Sequence, residues 1–214
     1  MSQSAFSDPG PHAALLDDLP DDVSALLGSA GPDWGRVAEL LDADQRRYPG
    51  RPLTAPRADP VGASTRAASL LVVAALRRRG VRARCRVGFA PRLGYVPRVI
   101  ATPRVRNDDG FVLAGEVWLA YRQGVVDAAR YGGGAAVRDA VLRDLAHANA
   151  DEVPLADTWG PMGPDLVGDL DVVDELAALL VATFVGDEVA ERELAERYAS
   201  DHRIRPPHAL ARAA

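Results

Sequence analysis

The hydrophobic pattern is clearest over residues 61–80, VGASTRAASLLVVAALRRRG. Apolar side chains fill nearly every position from Ala67 to Leu76, so a helix built from them has no polar side and must be buried. Ser64 or Thr65 can cap its start, Gly80 can end it, and Arg77, Arg78 and Arg79 suit the negative end of its dipole. The next stretch, VRARCRVG, changes period. Val81, Ala83, Cys85 and Val87 alternate with Arg82, Arg84 and Arg86, which predicts a half-exposed strand with Cys85 as a small core residue on its inward face.

Before this pair, the spacing predicts a helix capped by Asp33 and running through Val37, Leu40 and Leu41 to about Arg47. Leu15, Leu16, Leu19, Val23, Leu26 and Leu27 form a weaker helical pattern, which Pro20 cuts into two short pieces at most. The proline-rich stretch Tyr48 to Pro60 must be an extended connection. Beyond the strand, residues 91–110 read as irregular, with prolines at 91, 97 and 103 and an NDDG turn. Gly115–Tyr121 and Gly124–Asp127 read as two strands joined in a tight hairpin. Three helices follow, Val137–Ala148, about Leu170–Val185 and Glu188–Ala199, and Pro206-Pro207 is a helix stop after the last of them. A Pro/Gly-rich loop holding Trp159 separates the first two.

The expected class is α+β: a buried helix packed on a small antiparallel sheet, with additional N- and C-terminal helices. The expected organisation is an N-terminal tail with short helices (1–33), a core (34–150) and a C-terminal helical extension packed on that core (151–214).

Composition narrows the function. A hydrophobic fraction of 48% is enough for a buried core, and a formal net charge of −5 argues against nucleic acid and anionic membranes as partners. No apolar run is long enough to span a bilayer, and MSQSAFSDPGPH has neither the basic nor the hydrophobic part of a secretory signal, so a soluble cytoplasmic protein is expected. The single cysteine excludes an internal disulfide and any Cys-cluster metal site. His12, His147, His202 and His208 lack ligand spacing, so neither a metal nor another cofactor is expected.

Every one of the 25 basic residues is Arg, as GC-rich coding favours. Their distribution is uneven. From Ser69 to Asn107 there is no acidic residue, while Arg occurs at 77, 78, 79, 82, 84, 86, 92, 98, 104 and 106. Such a segment is either a solvated helix end and strand edge or a docking face for an anionic partner: a phosphate-bearing carrier, an acidic protein or a nucleotide.

Four segments resemble actinobacterial transglutaminase-like proteins of the papain-like superfamily. They are VVAALRRRGVRARCRVGFA (Val72 to Ala90), GEVWLAYRQGVVDAA (Gly115 to Ala129), VRDAVLRDLAHANADEVPLADTWGPM (Val137 to Met162) and YASDHRIRPP (Tyr198 to Pro207). Together they cover roughly residues 61 to 207 in the family's order. The resemblance implies a transglutaminase-like core with its reactive residue at the start of the buried helix. A Cys there has its thiol pKa lowered by the helix dipole, a His on a neighbouring strand is the base, and an Asp on the next strand orients it.

Carried onto this chain, that chemistry is largely missing. Counting back from Gly80 puts the Cys position of the family's G-x-C-R-D-F pattern at Thr65, with Arg66 on its Arg; aligning on Gly62 puts it at Ser64. Ala67 and Ala68 replace the Asp and the aromatic residue. The His position is Val112, and no histidine lies between residues 13 and 146. Asp127 matches the triad Asp, and Glu116 and Trp118 occupy positions that can line the family's pocket.

Three functions stay open. One is a non-catalytic protein that binds a small-molecule or anionic ligand in the remnant cleft. Another is a repurposed enzyme for acyl transfer, amide formation or hydrolysis, using Thr65 or Ser64 with Asp127; without a base beside it, however, a hydroxyl is a poor nucleophile, and capping the helix is the plainer role of both. The third is an interaction subunit that docks an acidic partner through its Arg-rich face.

Overall fold

The computed structural model describes residues 4–20, 23, 26–27, 31–90, 95, 97–102, 110–166 and 169–207. They form a mixed α+β structure in two units, one of residues 4–85 with 99–102, the other of residues 86–98 with 110–207.

The first unit is built on helices α1 (Val37–Arg47) and α2 (Thr65–Arg78). Leu70 to Leu76 of α2 are all buried, as its lack of a polar side predicts. Ser64 is its N-cap, its Oγ accepting from Ala67 N at 3.1 Å, and Gly80 follows its end at φ +74°, the left-handed turn that favours glycine. The described residues before 33 are built into this unit. Phe6, Leu16 and Leu19 are buried, Phe6 O accepts from Val37 N at 2.9 Å, and one 3-10 turn spans Gly10–Leu16. α1 starts three residues later than predicted: its N-cap is Arg36, whose N–H is met by the Glu39 carboxylate at 3.3 Å. Asp33 is drawn away to Ser64 and Arg66.

This unit also accounts for much of the Arg-rich segment. Arg77 donates to Ser7 Oγ at 2.5 Å and to Ala83 O at 2.9 Å, Arg78 pairs with Asp17 at 2.7 Å, and Arg79 donates to Leu19 O. These guanidiniums close the N-terminal segment onto the end of α2. Arg92, Arg104 and Arg106 lie outside the described residues.

Three strands form one small antiparallel sheet in the order β2-β1-β3: β1 Arg84–Phe89, β2 Pro97–Thr102 and β3 Val112–Leu113. Gly88 pairs with Leu113 and Phe89 with Val112. Strand β2 lies in the stretch expected to be irregular. Pro97 is its first residue, where a missing N–H is tolerated, and Val99 and Ile100 favour the extended chain. Cys85 and Val87 are fully buried, as their alternation predicts. Arg86 breaks the pattern: it too is buried, because an ion pair receives it.

The second unit is helical: α3 (Ala114–Arg122), α4 (Gly134–Ala148), α5 (Leu170–Phe184) and α6 (Glu188–Ser200). The last three fall where the sequence places them. Helix α3 corrects the sequence reading, which expects a hairpin over Gly115–Tyr121 and Gly124–Asp127. Val117, Leu119 and Tyr121 alternate as in a strand, while Ala114, Val117, Trp118 and Tyr121 have the i, i+3, i+4, i+7 spacing of a helix. The tie is broken by Glu116, which accepts from Leu113 N at 2.9 Å, and by Asp174 of α5, which accepts the Trp118 indole N–H at 2.6 Å. A 3-10 turn at Ala128–Tyr131 then replaces the second expected strand.

Helix α4 is buried nearly all round although it carries Arg138, Asp139, Arg143, Asp144 and His147. Burial of such groups is tolerated only with partners. Arg138 bonds Asp139 at 2.7 Å, Asp144 bonds Arg86, and a His147 ring nitrogen contacts Val153 O at 2.9 Å. Arg143 is the weakest case. It donates to Asp157 O at 3.0 Å, its Nε has no hydrogen-bond partner among the described residues, and burial pushes its pKa down.

Candidate functional site

The positions carried over from the resemblance divide between the units. In the first, Ser64, Thr65 and Arg66 open α2. Ser64 Oγ donates to Asp33 Oδ1 at 2.6 Å while accepting from Ala67 N, so its hydroxyl is engaged on both sides. The Arg66 guanidinium is buried, donating to Asp33 Oδ1 at 3.2 Å, Trp34 O at 3.0 Å and Gly35 O at 3.2 Å. It ties the segment before α1 to the start of α2. Thr65 is exposed.

In the second unit, Val112 is half-buried in β3, and Glu116 is exposed, its carboxylate capping α3. Trp118 is fully buried, held by Asp174 and lying 5.9 Å under the Arg122 guanidinium. Exposed Asp127 spends one carboxylate oxygen on Ala129 N at 2.9 Å, capping the 3-10 turn. Each carboxylate among these four thus performs a backbone task, and Glu116 and Trp118 stand on a helix rather than on a strand of a catalytic hairpin.

A cavity of ligand size lies elsewhere in the second unit. A groove of about 690 Å³ is lined by Arg138 and Leu142 of α4, Val172, Val173 and Leu176 of α5, the loop Trp159, Gly160 and Pro161, and the closing segment from Asp201 to Pro207. Two of the resembling segments meet in it, TWGPM and DHRIRPP. Trp159 Nε1 donates to Ile204 O at 3.1 Å, pinning the closing segment to the loop 45 residues earlier in the chain. Gly160 has φ +54°, and a Cβ there would overlap Arg203 O, so only glycine lets these two backbones approach.

Most polar groups of the groove are already bonded. Arg138 donates to Asp139, to Asp165 O at 2.7 Å and to Gly163 O at 2.8 Å. The Asp169 carboxylate caps α5 at Val172 N. Asp201 pairs with Arg203 at 2.7 Å, and hydrogen bonds from that guanidinium pull the Asp201 carboxyl down to about 2. The interior that remains is hydrocarbon and indole. It suits a ligand that gives up water-exposed apolar surface and asks for few hydrogen bonds inside.

The sequence places Trp159 in a Pro/Gly-rich loop between two helices and does not show the groove. Nothing periodic links positions 142, 159, 173 and 204. The one signal was that two Pro-containing words resemble the same family's segments. No protein-family model, no curated protein and no solved structure matches the chain. No helix among the described residues is long and apolar enough to cross a membrane.

Proposed function

We propose that the protein is a non-catalytic binding protein that takes a small apolar molecule in the groove between α4, α5 and the closing segment. The observation that carries this reading is the groove itself: about 690 Å³, within the range of small-molecule sites, with an apolar lining whose neighbouring polar groups are mostly paired. The resemblance to transglutaminase-like proteins enters as a proposed ancestry, in which Thr65 and Val112 stand for the lost Cys and His. The binding surface of this reading is the groove and not the remnant cleft.

Acyl transfer through Thr65 or Ser64 has less support. Ser64 Oγ is committed to Asp33 and Ala67, and Asp127 caps its own turn. Docking an acidic partner through the Arg-rich segment is weakened likewise, since Arg77, Arg78, Arg79 and Arg86 are engaged within the chain.

The test is a thermal-shift and calorimetric screen of apolar small molecules on the full chain and on Val172→Trp, which fills the groove from a half-buried position. Ligands that raise the wild-type melting temperature, and do so far less in Val172→Trp, support the reading. Equal stabilisation of both proteins, or none of either, overturns it.

A further inference from the structure

We infer that the ligand of this groove is an amphipathic monocarboxylate, its hydrocarbon or aromatic body in the groove and its carboxylate on Arg205. The inference rests on the groove being the binding site. Three arginines line the groove, and two are spoken for: Arg138 by Asp139 and Arg203 by Asp201, each at 2.7 Å. Arg205 has no carboxylate partner among the described residues. Its guanidinium carbon lies 5.6 Å from the Tyr198 ring centre, and its one hydrogen bond among the described residues runs from a terminal nitrogen to Ala199 O at 3.5 Å.

A half-buried guanidinium in this state keeps most of its N–H donors, in the planar fork that matches the two oxygens of a carboxylate. Neither Asp201 nor Asp151 pairs with it. Asp201 is taken by Arg203 through Nε and a terminal nitrogen, and Asp151 accepts the Tyr198 hydroxyl at 2.5 Å. One free guanidinium balances one negative charge. A phosphate monoester dianion would be left half-neutralised in a groove that already holds Asp169 and Asp201. Charge complementarity therefore favours a monoanion, and the apolar lining requires that the rest of it be hydrophobic.

Isothermal calorimetry on the full chain with two matched pairs separates the anchor from the groove: dodecanoate against dodecanol, and 2-naphthoate against 2-naphthamide. At low salt at least one acid is expected to bind about tenfold tighter than its uncharged partner, the size of one charge-assisted contact. In Arg205→Met, and in Arg205→Gln should the first variant fold poorly, that preference disappears while the uncharged partner binds as before. Equal affinity of acid and uncharged partner in the wild type, or a preference that survives both variants, overturns the carboxylate anchor and leaves the groove standing. Failure of all four compounds to bind overturns the anchor together with the groove.

Discussion

Arg86 and Asp144 form a bidentate ion pair inside the second unit, Nε to Oδ1 at 2.9 Å and a terminal nitrogen to Oδ2 at 2.8 Å, with neither side chain reaching solvent. Asp144 Oδ1 also accepts from Val87 N at 2.6 Å, and Arg86 donates to Leu180 O at 2.8 Å. One pair thereby joins β1, α4 and α5. Such a pair specifies an arrangement more than it stabilises one, because desolvating both charges offsets much of their attraction.

Removing one partner is another matter. Asp144→Asn leaves the guanidinium buried without its counter-charge and should lower stability by about 3–5 kcal/mol in urea unfolding. The double change Arg86→Met with Asp144→Leu should recover most of that loss. A loss under 1 kcal/mol for Asp144→Asn would mean that the pair is hydrated in solution.

At the start of α2, Ser64→Ala removes the cap on Ala67 N and the hydroxyl that Asp33 binds. It should destabilise by about 1–2 kcal/mol. Exposed Thr65→Ala should cost under about 0.5 kcal/mol. The reverse order would show that Thr65 caps the helix. Loss of a measurable activity in Thr65→Ala alone would revive hydroxyl chemistry.

Asp201 titrates in the folded protein at about 2, against an ordinary 3.8, because Arg203 holds its carboxylate. A depressed carboxyl stabilises the fold above its unfolded pKa, and that contribution is lost as pH falls from about 4 through about 2. Side-chain carboxyl NMR should place the Asp201 midpoint near 2 in the wild type and closer to 3.8 in Arg203→Gln. The Arg203 side chain is largely exposed, so added salt should narrow the difference.

Burial, with the Asp151 carboxylate beside it, raises the Tyr198 phenol well above its ordinary 10. The folded state keeps this proton where the unfolded chain releases it, so the contribution is whole below about pH 10 and fades as pH rises beyond. Tyr198→Phe should cost about 1 kcal/mol at neutral pH through the lost hydrogen bond. It should also flatten the alkaline decline in stability. An unchanged slope of stability against pH above 10 would assign that decline to other groups.

Local sequence specifies whatever depends on neighbours along the chain. An unbroken apolar run makes α2 a buried helix with Ser64 before it and Gly80 after it, and 3.6-residue spacing places α4, α5 and α6 to within a few residues. Period two faces Cys85 and Val87 inward. Long-range contacts resolve the cases in which local rules tie or mislead. Residues 114–122 carry spacing that suits helix and strand alike, and the Asp174 carboxylate waiting for the Trp118 indole settles them as helix. Arg86 looks like the exposed member of an alternating strand until Asp144, 58 residues on, compensates its charge. The groove is lined by segments far apart in the chain, two of which are joined by the Trp159–Ile204 bond across 45 residues. Periodicity reports which face of an element is apolar; which distant partner meets that face, or neutralises a charge upon it, is set by three-dimensional packing.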